Sequence, residues 1–170
     1  QWVREFARKC RANEPHFEQV AFLGGRLFDA LADPLSLDPE DRELLVAAAI
    51  LHDIGYLISH ARHHKHAYHL ITHSGLPGFS GREIEIVANV ARYHRRAHPK
   101  KSHEAWARLG SDDRERVRRL AGLLRVADGL DRTHGSEVTD VEAEMRDGRI
   151  RIVARAEREP RVDLWNANRK

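Results

Sequence analysis

Between Pro15 and Leu31 the apolar residues Val20, Leu23, Leu27, Phe28 and Leu31 return at steps of three and four, as one buried face of a helix does. His16 lies one turn before Val20 on that inward face. Asp38-Pro39-Glu40-Asp41 offers an N-cap, a proline at the first helical position and acid in the first turn, and so predicts a second helix from Pro39 to about Ile54. Its middle is apolar all round, which makes it central. Gly55 is suited to end it, leaving His52 and Asp53 in the last turn, where a buried helix reaches the edge of the core.

Further along, His64 to Ser74 reads as a short helix and Leu76-Pro77-Gly78-Phe79 as a turn. Ser80 caps a helix carrying Ile84, Val87, Ala88 and Ala91 to about His94, and a basic loop reaches Ser102. Asp112 caps another helix, in which Val117, Leu120, Ala121, Leu124 and Ala127 share a stripe with Asp128, an acid on an otherwise apolar face. Such an acid needs a partner. After Gly135 the period changes to two: Val141, Ala143 and Met145, then Asp147-Gly148, then Ile150, Ile152 and Ala154. This predicts a β-hairpin whose two-residue loop sets Arg146 opposite Arg149 and Met145 opposite Ile150, with both apolar sets on one face able to cover the helical core. Asp163 is placed to cap a last helix running to Lys170. The expected fold is mainly α: a helical bundle, residues 1–135, with a small hairpin and terminal helix, residues 136–170, packed on the same domain.

At 170 residues the chain suits one core. The longest apolar run, Leu44 to Leu51, is far short of the ~20 residues that span a bilayer, and no secretory signal opens the chain, so a soluble, cytoplasmic protein is expected. Cys10 is the only cysteine, which excludes an internal disulfide and leaves His and carboxylates as metal ligands. The first residue is Gln1, so fragment status stays open. A net charge of +3 permits an anionic substrate without demanding one. More informative are the 12 His, concentrated between His52 and His103.

Three inward-facing positions on separate helices carry ligand types: His16, the pair His52-Asp53, and Asp128. Each alone reads more readily as a satisfied core polar residue. Together they read as a metal site accepting Mn, Fe, Co, Ni, Zn or Mg, in which a carboxylate such as Asp53 can bridge two ions. Such a metal acidifies a bound water and polarises a phosphoryl oxygen, and Asp53 is placed to steer the attacking water.

The segment Ala49 to Tyr56 (AILHDIGY), with His16 upstream and Val126-Ala127-Asp128 downstream, resembles the His, His-Asp, Asp pattern of the HD superfamily of metal-dependent phosphohydrolases. More narrowly, HDIGY from His52, HHKH from His63, LPGF from Leu76, ARYHR from Ala91 and ADGLDR from Ala127 resemble the HD-type C-terminal domain of the exopolyphosphatase and guanosine pentaphosphate phosphatase family, over about Pro15 to Arg132. In that family the phosphatase chemistry belongs to a separate actin-like domain, for which this chain has no room, and some members have lost the HD ligands. This chain keeps all four. The resemblance to two-metal HD phosphodiesterases implies His63 as a further ligand and His94 as the first of a paired motif, in which Arg95 replaces the second His. Tyr56 stands where those enzymes often carry Lys. His64, His66 and His69 read as surface or supporting groups, with His66 near enough to His63 to substitute for it.

The basic set Arg92, Arg95, Arg96, His98, Lys100 and Lys101 reads equally as a solvated loop and as a phosphate-binding surface. Arg95 is its best candidate because a guanidinium grips phosphate bidentately, and Arg132, one turn beyond Asp128, is the next. The expected substrate is a phosphate ester or anhydride such as a nucleotide or polyphosphate, the expected cofactor one or two divalent ions. The rival is a non-catalytic polyphosphate- or nucleotide-binding regulatory module with an inherited metal site. No membrane partner is expected, a homodimer is left open, and nucleic acid lacks the aromatic platform it would stack on.

Overall fold

The computed structural model describes residues 1–95 and 98–169. Helix α1 spans Trp2–Lys9, an addition to the expected elements, and buries Ala7. Helix α2, Glu14–Leu31, starts at the Asn13 cap, whose side chain accepts the His16 N–H. It buries His16 together with Val20, Leu23, Leu27, Phe28 and Leu31, as its periodicity predicts.

Helix α3 spans Asp41–Leu51, shorter than expected at both ends. Asp38 does not cap it. Instead the Asp41 carboxylate accepts the Asp38 N–H at 3.1 Å and pairs with Arg116 at 3.0 Å. Nor does Gly55 act as a helix terminator. It lies in a 3-10 turn, Ile54–Leu57, where a methyl group would overlap the His63 carbonyl oxygen and sit 2.7 Å from the Ala67 nitrogen. Gly55 is therefore the point of closest backbone approach to helix α4, His63–Thr72.

Helix α5, Gly81–Arg92, opens on a complete capping box between Ser80 and Glu83. A short helix α6, Glu104–Ala107, follows the basic loop. Helix α7, Ser111–Leu130, starts one residue before the expected Asp112 cap, with Gly110 at the N-cap and Asp112 in its first turn. It crosses the core with Val117, Leu120, Leu124 and Ala127 buried.

Strands β1, Val138–Arg146, and β2, Arg149–Ala156, form the expected hairpin in the expected register. Asp147 and Gly148 both have positive φ, at 51° and 71°, as a two-residue turn of this hand requires. The hairpin covers the core from its base to its middle: Val138 and Val141 are buried and Ala143, Ile152 and Ala154 pack against it half-buried, while Met145 and Ile150 near the tip are 38% and 44% exposed. The base is tied to α2 by Gln19 donating to the Val138 carbonyl and by the Arg26–Asp140 pair. Helix α8, Arg161–Ala167, packs on α7 at Gly129, where an added methyl would lie 2.8 Å from Ala167 Cα. Asp163 is fully buried and does not cap its own helix. Its carboxylate accepts the Thr133 N–H and hydroxyl. No helix among the described residues is long and apolar enough to cross a membrane. The molecule is mainly α with a small hairpin near the C-terminus.

Candidate metal centre

Helices α2, α3, α4, α5 and α7 end or begin around one point, and each delivers a ligand type to it. Asp53, just past α3, stands at the centre. Its Oδ2 faces His52 Nε2 at 3.5 Å and His16 Nε2 at 3.7 Å, while its Oδ1 faces His63 Nε2 at 3.4 Å and His94 Nε2 at 3.6 Å. Asp128 Oδ1 lies 3.6 Å from both His16 Nε2 and His52 Nε2. The structure thus brings together His16, His52, Asp53, Asp128, His63 and His94, in two sets that share Asp53.

The imidazoles are oriented from behind. His16 Nδ1 donates to Asp131 Oδ2 at 2.7 Å, His52 Nδ1 to the Ala49 carbonyl at 2.6 Å, and His94 Nδ1 to the Ala91 carbonyl at 2.5 Å. Each bond occupies the rear nitrogen and aims Nε2 inward, the arrangement by which histidine ligands are usually held. His16 Nε2, His52 Nε2, Asp53 Oδ1 and Asp128 Oδ2 are buried with no hydrogen-bond partner among the described residues. Buried polar atoms are costly to leave unmatched. Convergent imidazole nitrogens around two carboxylates, open at several atoms, are what a divalent cation requires, and the residues fit one.

The electrostatics agree. Burial lowers the His16 pKa, but the carboxylates of Asp128, Asp131 and Asp53 outweigh it and raise the value to about 9. His52 is likewise raised, against its burial, by Asp53 and Asp128. His94 goes the other way: burial and the neighbouring His52 push it down to about 3. Asp128 is held well below the ordinary carboxylate range, its burial being overcome by His16 and His52. The facing carboxylates favour positive charge on His16 and His52 when no metal is bound.

Of the basic residues, Arg95 donates to the Tyr56 hydroxyl at 3.2 Å, and Tyr56 stacks on His63 with ring centres 4.1 Å apart. The charge of Arg132 also acts on Tyr56. Arg92 instead lies over the rings of Tyr68 and Tyr93 and lines a separate cleft with Lys65, His103 and Arg108. Lys101 is exposed in a turn, and His66 is half-buried on α4. Arg96 lies outside the described residues. Two neighbours escaped the sequence reading. Asp131, one turn after Asp128 on the same helix face, is identifiable in principle from that spacing. His134, stacked on His16 at 3.7 Å, comes from a loop and carries no sequence signal.

The chain is 27% identical over 128 residues to the guanosine-5'-triphosphate,3'-diphosphate pyrophosphatase of Pseudoalteromonas atlantica, covering 75% of this chain and 25% of that protein. It is 42% identical over 52 residues to the enzyme of the same name from Pseudoalteromonas translucida, covering 31% of this chain and 10% of that protein. To that of Vibrio campbellii it is 28% identical over 94 residues, covering 55% of this chain and 19% of that protein. The chain thus spans at most about a quarter of the length of these curated relatives. The family model described as Ppx/GppA phosphatase, domain III, matches residues 1–159, and the chain belongs to the Ppx/GppA phosphatase family.

Proposed function

We propose that the chain is a metal-dependent phosphohydrolase of the HD type, acting in the cytoplasm on a phosphate ester or anhydride such as a phosphorylated nucleotide or polyphosphate. The observation that carries this reading is the division of Asp53, with one carboxylate oxygen facing His16 and His52 and the other facing His63 and His94. Membership of a phosphatase family and the pyrophosphatase name of the relatives support the substrate class. The centre is assigned to residues 1–135, with residues 136–170 an accessory piece packed on it.

His16, His52, Asp53 and Asp128 would hold a first ion, and His63 and His94, together with Asp53, would hold a second. A bound ion contributes Lewis acidity and lowers the pKa of water in its reach. The chain's own groups do the rest. Asp131 and the Ala49 and Ala91 carbonyls keep the ring nitrogens aimed inward. Asp53 accepts a hydrogen bond from the attacking water and orients it. Arg95 and Arg132 offset the charge of the phosphate.

A second reading, a non-catalytic module that binds polyphosphate or a nucleotide, is favoured by the small share of the relatives that the chain covers and by the basic cleft around Arg92. Metal analysis of the purified chain, with a panel of phosphate esters and anhydrides, separates the two. We expect bound metal and turnover in the wild type and neither in Asp53→Ala. Metal without turnover selects the binding module, and full metal content in Asp53→Ala removes Asp53 from the ligand set.

A further inference from the structure

Asn13 caps α2 by accepting the His16 N–H on Oδ1 at 3.3 Å, which turns its amide nitrogen toward His134 Nδ1, 3.4 Å away. An amide nitrogen can only donate, so Nδ1 of His134 is the acceptor and the neutral ring carries its proton on Nε2. The ring and its backbone have further contacts. The ring stacks on His16 with centres 3.7 Å apart and planes 15° apart, and the His134 backbone N–H donates to the Asp131 carbonyl at 2.9 Å. Asp131 Oδ1 takes the Ser136 N–H at 2.7 Å, and the buried Asp163 takes Thr133 from the other side. These bonds hold His134 at φ 56°, in the left-handed region that costs a side chain energy to occupy.

The loop thereby sets an exposed imidazole at the rim of the cluster, with one ring nitrogen within 4.8 Å of ligand atoms of His16 and Asp53. As Nδ1 accepts from Asn13, Nε2 is the nitrogen left with a proton to offer. The stacking argues against a ligand role, because near-parallel rings project their in-plane nitrogens side by side rather than onto one ion, and an N–H has no lone pair to give.

We propose that His134 is an oxyanion-binding residue of this site, its Nε2–H donating to a tetrahedral phosphoryl group or free phosphate seated over the metal centre. The assignment rests on the metal-dependent reading above, since the centre is what draws the anion. Asn13 is a positioning residue acting through the ring.

The test titrates inorganic phosphate into the manganese-loaded full chain, with metal content measured separately and the His134 tautomer read from ring nitrogen shifts in metal-free protein. His134→Asn accepts the positive φ yet cannot reach where Nε2 stood. We expect it to weaken phosphate binding about tenfold with metal content unchanged. His134→Gln, whose amide nitrogen reaches further, recovers most of the loss. Asn13→Ser keeps the cap, frees the tautomer and gives a smaller loss. Unchanged phosphate affinity in His134→Asn, loss of metal from that variant, or a wild-type ring protonated on Nδ1 overturns the assignment while leaving the metal-dependent reading intact. A wild-type chain that takes up neither manganese nor phosphate overturns both.

Discussion

His16 and His94 face the same carboxylate yet prefer opposite protonation states, and the difference lies in how many acids each one meets. His16 touches Asp128, Asp131 and Asp53 and is raised from 6.5 to about 9, whereas His94 is enclosed beside His52 and lowered from 6.5 to about 3. A raised pKa stabilises the fold fully below the unfolded value of about 6.5 and is lost as pH climbs through 9. A depressed histidine pKa has the reverse effect, its neutral burial being penalised as pH falls from 6.5 toward 3. Metal-free protein should therefore reach its highest melting temperature near pH 6.5, with the alkaline limb flattened in His16→Gln. A manganese ion bound there would compete with the His16 proton, so its stabilisation should grow as pH rises toward about 9 and level off beyond; parallel melting curves with and without the ion would disprove the competition. Arg95 tests a different property. A guanidinium cannot ligate, so Arg95→Ala should weaken phosphate binding by ~1.5–3 kcal/mol with metal content unchanged, and Arg95→His should raise occupancy toward two ions if the arginine chiefly repels the second.

At the level of elements, the sequence was most legible where a pattern repeats and least where one close contact decides. The stripes of α2 and α7, the Ser80 capping box and the Asp147-Gly148 register all follow from spacing, and the structure reproduces them. Asp38, Gly55 and Asp163 carry ordinary cap or terminator signals but are used for tertiary contacts, which local chemistry does not reveal. Gly55 shows the consequence. With the His63 and Ala67 backbones against its Cα, Gly55→Ala must push α4 away from the α3 end. We expect a loss of ~3 kcal/mol or more by overpacking. Metal stoichiometry should fall selectively at the His63–His94 side, since His63 opens α4 while His16, His52 and Asp128 are carried elsewhere. An Ala variant with wild-type stability and metal content would mean that α4 can shift without moving its ligand.

Across the whole molecule, the approach of His16 to Asp128 was legible because both share the apolar stripes of α2 and α7, whereas His63 and His94 came only from the family resemblance. Behind them, Asp131 follows from its spacing to Asp128, but His134 does not, because it depends on where the chain goes after α7. That path is controlled from the far end: α8 lies against Gly129, and its buried Asp163 receives both donors of Thr133. The family match ends at residue 159, just before this helix, so the control belongs to a part of the chain outside the matched segment. Asp163→Ala tests the connection at a distance from every proposed ligand. It leaves the Thr133 N–H without its partner, at a cost of ~1–3 kcal/mol, which for a chain of this size lowers the melting temperature by roughly 2–4 °C per kcal/mol. The metal should stay, because Asp128 and Asp131 belong to α7 and its final cap rather than to the loop. Phosphate affinity of the manganese form should fall as it does in His134→Asn, and combining the two substitutions should add little further loss, the sign of two residues acting through one ring. Fully additive losses would show that α8 influences the site by some route other than the His134 loop.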